Sequence, residues 1–269
     1  MGETVAVLGA GKMGEALLSA MVRSGRPASS LLFTERHPDR AAEITERLGI
    51  ESVSTGVAAE RADTLLVAVK PQEIGALLDD LAPVVTPRNL VISIAAGIPT
   101  TAIEKRLADG TPVVRVMSNT PVFVDEAMSA ISAGAHAGEE HLQHTEDLLR
   151  PVGKVIRLPE SQLDAVTALS GSGPAYFFFL VEAMIDAGIL LGLPRAVAAE
   201  LIVQTAYGSA VMLRDSGEHP VQLREAVTSP GGTTIAAIRE LENHGVRAAM
   251  LSALEAARDR SRELAAGAG

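Results

Sequence analysis

The sequence predicts a doubly wound, mostly parallel α/β domain followed by an all-α domain. Three observations carry this. Short β-branched runs alternate with amphipathic stretches in the first part of the chain, those runs stop near Pro159, and the remainder reads as helices. The strand-like runs are residues 4–8, 31–34, 64–69, 90–94, 113–117, 128–132 and 155–158. Several are apolar throughout, as strands covered on both faces of a parallel sheet should be. Helical patterns at 13–23 and 38–48 lie between the early runs and complete βαβ units. Beyond Pro159, helices are expected at 160–169, 174–191, 194–214, 221–227, 233–243 and 246–265. Pro174 and Pro194 fall in first helical turns, where the missing N–H is not needed, and Gly192 suits a helix stop. The expected domains are therefore 1–159 and 160–269, joined without a flexible linker, with a frayed tail at 266–269.

Composition narrows the function. The 269 residues are 47% hydrophobic and 21% charged, which supports a packed core. A formal net charge of −10 argues against nucleic-acid or anionic-membrane partners. The absence of Cys excludes disulfides, zinc–thiolate sites, iron–sulfur clusters and Cys nucleophiles. With no Trp, two Tyr and five Phe, a base-stacking platform is not expected. The start of the chain has no basic residue before its apolar run, unlike a secretory signal. Gly2 is followed by Ala6 where a myristoylation site wants Ser or Thr. The apolar stretch 177–193 is interrupted by Glu182 and Asp186 and reads as a buried helix, not a membrane span. The expected location is cytoplasmic.

The segment Gly9-Ala10-Gly11-Lys12-Met13-Gly14 follows a strand and opens a helix. Gly9 permits a tight turn, Gly11 lets the backbone approach a pyrophosphate, and Gly14 lets the helix pack close to the strand. This is the glycine fingerprint of a Rossmann dinucleotide-binding domain. Glu35, at the end of the second strand, stands where an acid holds the ribose of NAD, and Arg36 beside it suits the 2′-phosphate of NADP. The two signals oppose each other; a plain surface ion pair is the third reading. Ala68-Val69-Lys70-Pro71 and Ala95-Ala96-Gly97 lie at strand ends where α/β sheets bind ligands. Their small residues suit a nicotinamide and its ribose, and Lys70 is either functional or simply solvated. Asn119 and Thr120 offer polar groups after a further strand.

Two later segments run into helices. Ser170-Gly171-Ser172-Gly173-Pro174 reads either as amide donors for an anion or as tight packing at a small-residue corner. Ser229-Pro230-Gly231-Gly232-Thr233-Thr234 has more glycines and hydroxyls than a helix cap needs and suits a small carboxylate. His141 and His144 lack a third donor, so no metal site is expected. No G-x-S-x-G elbow is present for a hydrolase.

Taken together, these segments resemble the pyrroline-5-carboxylate reductase family, from Val5 to about Leu264. Residues 163–176 and the stretch from Glu218-His219-Pro220 to Thr234 are the most specific parts. The resemblance implies reduction of L-1-pyrroline-5-carboxylate to L-proline with NADPH, or with NADH, as the last step of proline biosynthesis. It implies a helical dimerisation domain, with some members assembling dimers into decamers, and an active site between the nucleotide domain of one subunit and the helical dimer domain. It also implies that Ser229, Gly231, Gly232, Thr233 and Thr234 hold the substrate carboxylate, that Thr234 hydrogen-bonds the ring nitrogen, and that Glu218 lies at the substrate site. Ser118 stands where many members have Pro, Ala226 where some have a polar residue, and Glu35 is unusual for an NADPH-preferring member.

Two rivals differ in chemistry. A β-hydroxyacid dehydrogenase would need a lysine where Phe177 stands, because an alcohol substrate must exchange a proton. A non-catalytic dinucleotide sensor would not need the loop at 229–234. Finally, Phe177-Phe178-Phe179-Leu180 and Ile189-Leu190-Leu191 make a helix apolar on most sides, which calls for a partner subunit and predicts a homodimer.

Overall fold

The computed structural model describes residues 3–266; the Gly2 reading and the 267–269 part of the expected tail lie outside them. Among the described residues, eight strands form one sheet in the order β3-β2-β1-β4-β5-β6-β7-β8. They are β1 (Val5–Leu8), β2 (Leu31–Thr34), β3 (Glu51–Ser52), β4 (Thr64–Val67), β5 (Leu90–Ser93), β6 (Val113–Met117), β7 (Ala127–Ala133) and β8 (Gly153–Arg157). All pairings are parallel except that of β6 with β7. The chain builds β1, β2 and β3 to one side and then returns to β4 on the other side of β1. That reversal leaves a crevice at the carboxyl ends of β1 and β4.

The alternation of side chains along β1 explains the two-sided core. Val5 and Val7 join Leu17, Leu18 and Met21 of α1 (Lys12–Arg23), whereas Ala6 and Leu8 join Leu65, Val67 and Leu78 on the other face. The remaining helices of this region are α2 (Pro38–Leu48), α3 (Thr55–Arg61), α4 (Ile74–Leu81), α5 (Thr100–Glu104) and α6 (Glu139–Leu149). The doubly wound class is as the sequence predicts. The two-residue edge strand β3 is too short to leave a periodic signal.

The helical part starts with a 3₁₀ turn at Glu160–Gln162, α7 (Leu163–Val166) and a π-turn at Thr167–Gly171. It continues through α8 (Gly173–Leu190), α9 (Arg195–Asp215), α10 (Pro220–Ala226), α11 (Thr233–Asn243) and α12 (Val246–Ala266). The helix expected at 160–169 is thus three short pieces that lead into α8. Gly192, at φ +94°, turns the chain after α8, and Gly188 lets α8 approach Ala198 of α9, where a Cβ would sit 2.8 Å from the Ala198 Cβ.

By contact, one compact unit runs to Ser172 and includes the chain from Ala257, and the other is Gly173–Ala256. The division falls later than the expected boundary at 159 because residues just past it are tied into the first unit. Glu160 accepts from the Thr100 amide at 2.8 Å, the Thr100 hydroxyl at 2.7 Å and Arg115 of β6 at 3.1 Å. Ser261 of α12 donates to Asp164 at 2.7 Å.

The expectation of a buried helix at 177–193 needs correction within one chain. Phe177, Phe178 and Phe179 are 67%, 70% and 69% exposed. Apolar residues lie all round α8, and α9 can cover only one stripe of it. By length and composition alone, Glu160–Leu190 and Arg195–Asp215 would suffice to cross a membrane.

The Glu160 cluster yields a prediction. Arg115 is buried, so Glu160→Ala leaves a guanidinium without its carboxylate and should destabilise the fold by about 2–3 kcal/mol. A melting temperature equal to wild type would contradict this.

Candidate active site

The crevice is built on the turn from β1 into α1. Gly9 sits at φ +96°, where an added Cβ would lie 2.7 Å from Val69 Cγ1. Thr34 holds this turn twice: Gly9 N–H donates to its hydroxyl at 3.0 Å and Ala10 N–H to its carbonyl at 3.0 Å. Gly14 lies directly against Gly9 O, so any side chain there would collide with the turn. Gly11 faces open space and is the N-cap of α1, with no side chain capping the helix. The amides of the first turn, at Lys12 and Met13, are therefore available to an anion, reinforced by the helix dipole. Glu15 would oppose an anion, but Arg40 and Arg47 of α2 both pair with it. These residues fit the pyrophosphate of a dinucleotide.

Around that turn the other expected cofactor residues take different parts. Glu35 is half-buried and accepts from His37 N–H at 3.0 Å, and Arg36 is exposed and pairs with Glu73. The ion-pair reading thus holds for Arg36, although its partner is Glu73 and not its neighbour Glu35. Ala68 and Val69 follow β4 beside Gly9, with Ala68 N–H donating to Leu8 O at 2.8 Å. Lys70 is exposed and precedes the 3₁₀ turn Pro71–Glu73. Beyond β5, Ala95 is buried and Ala96 exposed, while Gly97, at φ +75°, packs against Leu264 and Ala265 of α12. Asn119 accepts from Met128 N–H at 3.0 Å and donates to Ser170 O at 3.2 Å, so its amide clamps the end of β6 to β7 and to the π-turn.

The anion-loop reading of 170–174 fails. These residues lie in a π-turn and the start of α8, where Ser172 N–H already donates to Thr167 O at 2.8 Å. Gly171 is pressed against the Met117 methyl, which is the packing role. His141 accepts from Gly138 N–H at 2.9 Å, and His144 meets Glu3 at 2.9 Å, so the pair serves local structure. For Glu3, burial raises the carboxyl's pKa, but hydrogen bonds from His144 and Thr64 outweigh it and hold the group below the usual range.

In the second unit, Gly232 is the N-cap of α11, again without a capping side chain, and Gly231 turns at φ +67°. Gly232 N–H donates to Ser229 O at 3.1 Å, closing the Ser229-Pro230-Gly231-Gly232 turn. The amides that follow, at Thr233 and Thr234, open the helix. Thr234 is half-buried and Thr233 exposed. Glu218 is exposed in the connection to α10, whose first turn is capped by His219. Ala226 is the last residue of α10, and Ser118 accepts from the Ser129 hydroxyl at 2.9 Å.

A glycine turn that fits a dinucleotide, on a doubly wound sheet followed by a helical region, is an architecture of nicotinamide-dependent oxidoreductases, and the relatives of this chain place it in that class. Residues 160–264 match the family model described as pyrroline-5-carboxylate reductase dimerisation, and residues 4–97 match one described as NADP oxidoreductase, coenzyme F420-dependent. The chain is 43% identical to a pyrroline-5-carboxylate reductase of Corynebacterium melassecola over 97% of its own length and 98% of the relative's. It is 42% identical to that of Pseudomonas aeruginosa, over 97% and 96%. The solved reductase of Coxiella burnetii superposes with a TM-score of 0.92 at 35% identity, covering 97% of this chain and 98% of that one. The Plasmodium falciparum enzyme, solved with NADP bound, gives 0.87 at 27%, covering 98% of both chains. The chain belongs to the pyrroline-5-carboxylate reductase family.

Sequence reasoning missed Thr34 and Glu73. Thr34 was legible as the hydroxyl residue directly before Glu35 at a strand end. Glu73 left no local sign, because its partner is far off in sequence. The glycine geometry predicts a split. Gly11→Ala should fold normally yet bind NADPH or NADH roughly tenfold or more weakly. Gly14→Ala should lose about 1–3 kcal/mol of stability through overpacking. Melting curves and cofactor titrations check both, and a Gly11→Ala protein with unaltered affinity would contradict the assignment.

Proposed function

We infer that the chain reduces L-1-pyrroline-5-carboxylate to L-proline with NADPH or NADH, the final step of proline biosynthesis. Family membership over nearly the whole chain is the observation that carries this. We propose the following division of labour among its residues. The turn Gly9–Gly14 holds the pyrophosphate. Glu35 and Arg36 face the adenosine ribose, while Ala68 to Pro71 and Ala95 to Gly97 line the nicotinamide half, with Asn119 bracing the end of β6. When bound, the dinucleotide supplies the hydride.

The open amides and dipole at the start of α11 hold the substrate carboxylate, with Ser229, Gly231, Gly232 and Thr233 shaping the loop. The half-buried Thr234 hydroxyl orients the ring nitrogen, and Glu218 lies at the substrate site. A protonated iminium is already electrophilic, so this site needs no His, Cys or metal, and position is its main contribution. Glu218 and Thr234 are the residues proposed to touch the reacting ring.

We propose a homodimer formed through the helical region, which the exposed apolar faces of α8 and α9 support; the reading is completed by a small-molecule substrate and a cytoplasmic location, without nucleic acid or membrane. Sedimentation at low concentration should give a dimer or an assembly of dimers. A fully active monomer would contradict this.

Thr234→Ala should lower kcat/KM for pyrroline-5-carboxylate by about 10–100-fold, the loss of one hydrogen bond worth ~1.5–3 kcal/mol in the transition state. Thr233→Ala should have the smaller effect. Gly232 is the N-cap, so neither change removes a cap, and both melting temperatures should stay near wild type. Wild-type kinetics in Thr234→Ala would remove this hydroxyl from the mechanism.

A further inference from the structure

Arg36 follows β2, and Glu73 closes the 3₁₀ turn that follows β4. In the sheet β1 lies between those two strands. Neighbouring strands are about 4.8 Å apart, so β2 and β4 are separated by roughly 10 Å. The Arg36–Glu73 ion pair therefore reaches across the carboxyl end of β1, the strand from which the glycine turn leaves. Its two ends are unequal. Arg36 is 78% exposed on its side chain and, among the described residues, is held by this carboxylate. Glu73 is 32% exposed and has a second anchor, since its other oxygen accepts from Lys70 N–H at 3.4 Å. The Arg36 guanidinium holds the Glu73 carboxyl below the usual carboxylate range, against the opposing effect of burial, so Glu73 is a fixed negative charge at neutral pH. Glu35 turns its carboxylate back to His37 N–H and leaves Arg36 to Glu73.

A dinucleotide lying across this end of the sheet brings its adenosine ribose to the end of β2. A 2′-phosphate there wants Arg36, but Arg36 is already occupied, and the carboxylate that occupies it repels the phosphate. A free 2′-hydroxyl carries no charge and meets neither obstacle. We propose that Glu73 is a specificity-determining residue of the cofactor site, which handicaps NADPH relative to NADH by holding Arg36. The inference rests on the reading that the Gly9–Gly14 turn binds the dinucleotide.

Direct titration of NADPH and NADH, followed by cofactor fluorescence, tests it on wild type, Glu73→Gln, Arg36→Ala and the double variant. Gln keeps an acceptor for Lys70 N–H and removes only the charge. Glu73→Gln should tighten NADPH about two- to fivefold, the scale of one exposed ion pair, with NADH unchanged. Arg36→Ala should weaken NADPH roughly tenfold, as expected for a lost charge-assisted contact, with little effect on NADH. The two changes should be non-additive, because in the Arg36→Ala background Glu73→Gln has no guanidinium left to release and relieves only its own repulsion of the phosphate. The gain from Glu73→Gln should also fall as salt rises. If Glu73→Gln leaves the NADPH-to-NADH ratio unchanged, or weakens both cofactors through the Lys70–Pro71 turn, the proposal fails while the dinucleotide site stands. If wild type binds neither cofactor, the site reading fails with it.

Discussion

The seating of α1 on the end of β1 governs the rest of this molecule. Gly14 lies against Gly9 O, a distance that no side chain permits, and Gly9 takes a left-handed turn beneath Val69. With the helix that close, Leu17, Leu18 and Met21 reach the face of the sheet lined by Val5, Val7 and Phe33. The same approach aims the start of α1 at the point where the strand order reverses. Core packing and the open amides at the start of α1 are thus two consequences of one backbone contact. A larger residue at Gly14 would disturb both, whereas at Gly11 only the ligand side is at stake.

A chain with a net charge of −10 has no general attraction for a phosphate or a carboxylate. It supplies local donors instead. Both α1 and α11 begin at a glycine N-cap with no capping side chain, so their first amides stay open. Near α1 the unfavourable Glu15 is neutralised by two arginines of α2. This arrangement suits a reaction whose substrate already carries its electrophile, where holding two anions in place matters more than acid or base strength.

Seven of the eight described strands were legible as short, largely apolar runs, and the glycine turn because its spacing follows a strand and opens a helix. The loop at 229–234 stood out by its excess of glycines and hydroxyls. What was not legible is long-range or sub-periodic. A π-turn changes the helix period over a single turn, so residues 170–174 read as a loop. The partner of Arg36 was hidden because Glu73 is adjacent only through the strand order. The apolar run at 177–193 was legible as a helix, but its composition does not say which molecule covers it: in one chain its phenylalanines face outward. Residues 160–172 belong with the helices by pattern, yet Glu160 and Ser170 are bound to the sheet side by Arg115, Thr100 and Asn119.

The most direct test of the central claim is the stoichiometry of turnover by the purified protein on racemic pyrroline-5-carboxylate, with chiral analysis of the product. The account predicts that L-proline alone forms, one molecule for each NADPH or NADH oxidised, and that no cofactor is consumed without the imine. Binding of the cofactor with no proline formed, or oxidation that does not depend on the imine, would contradict it.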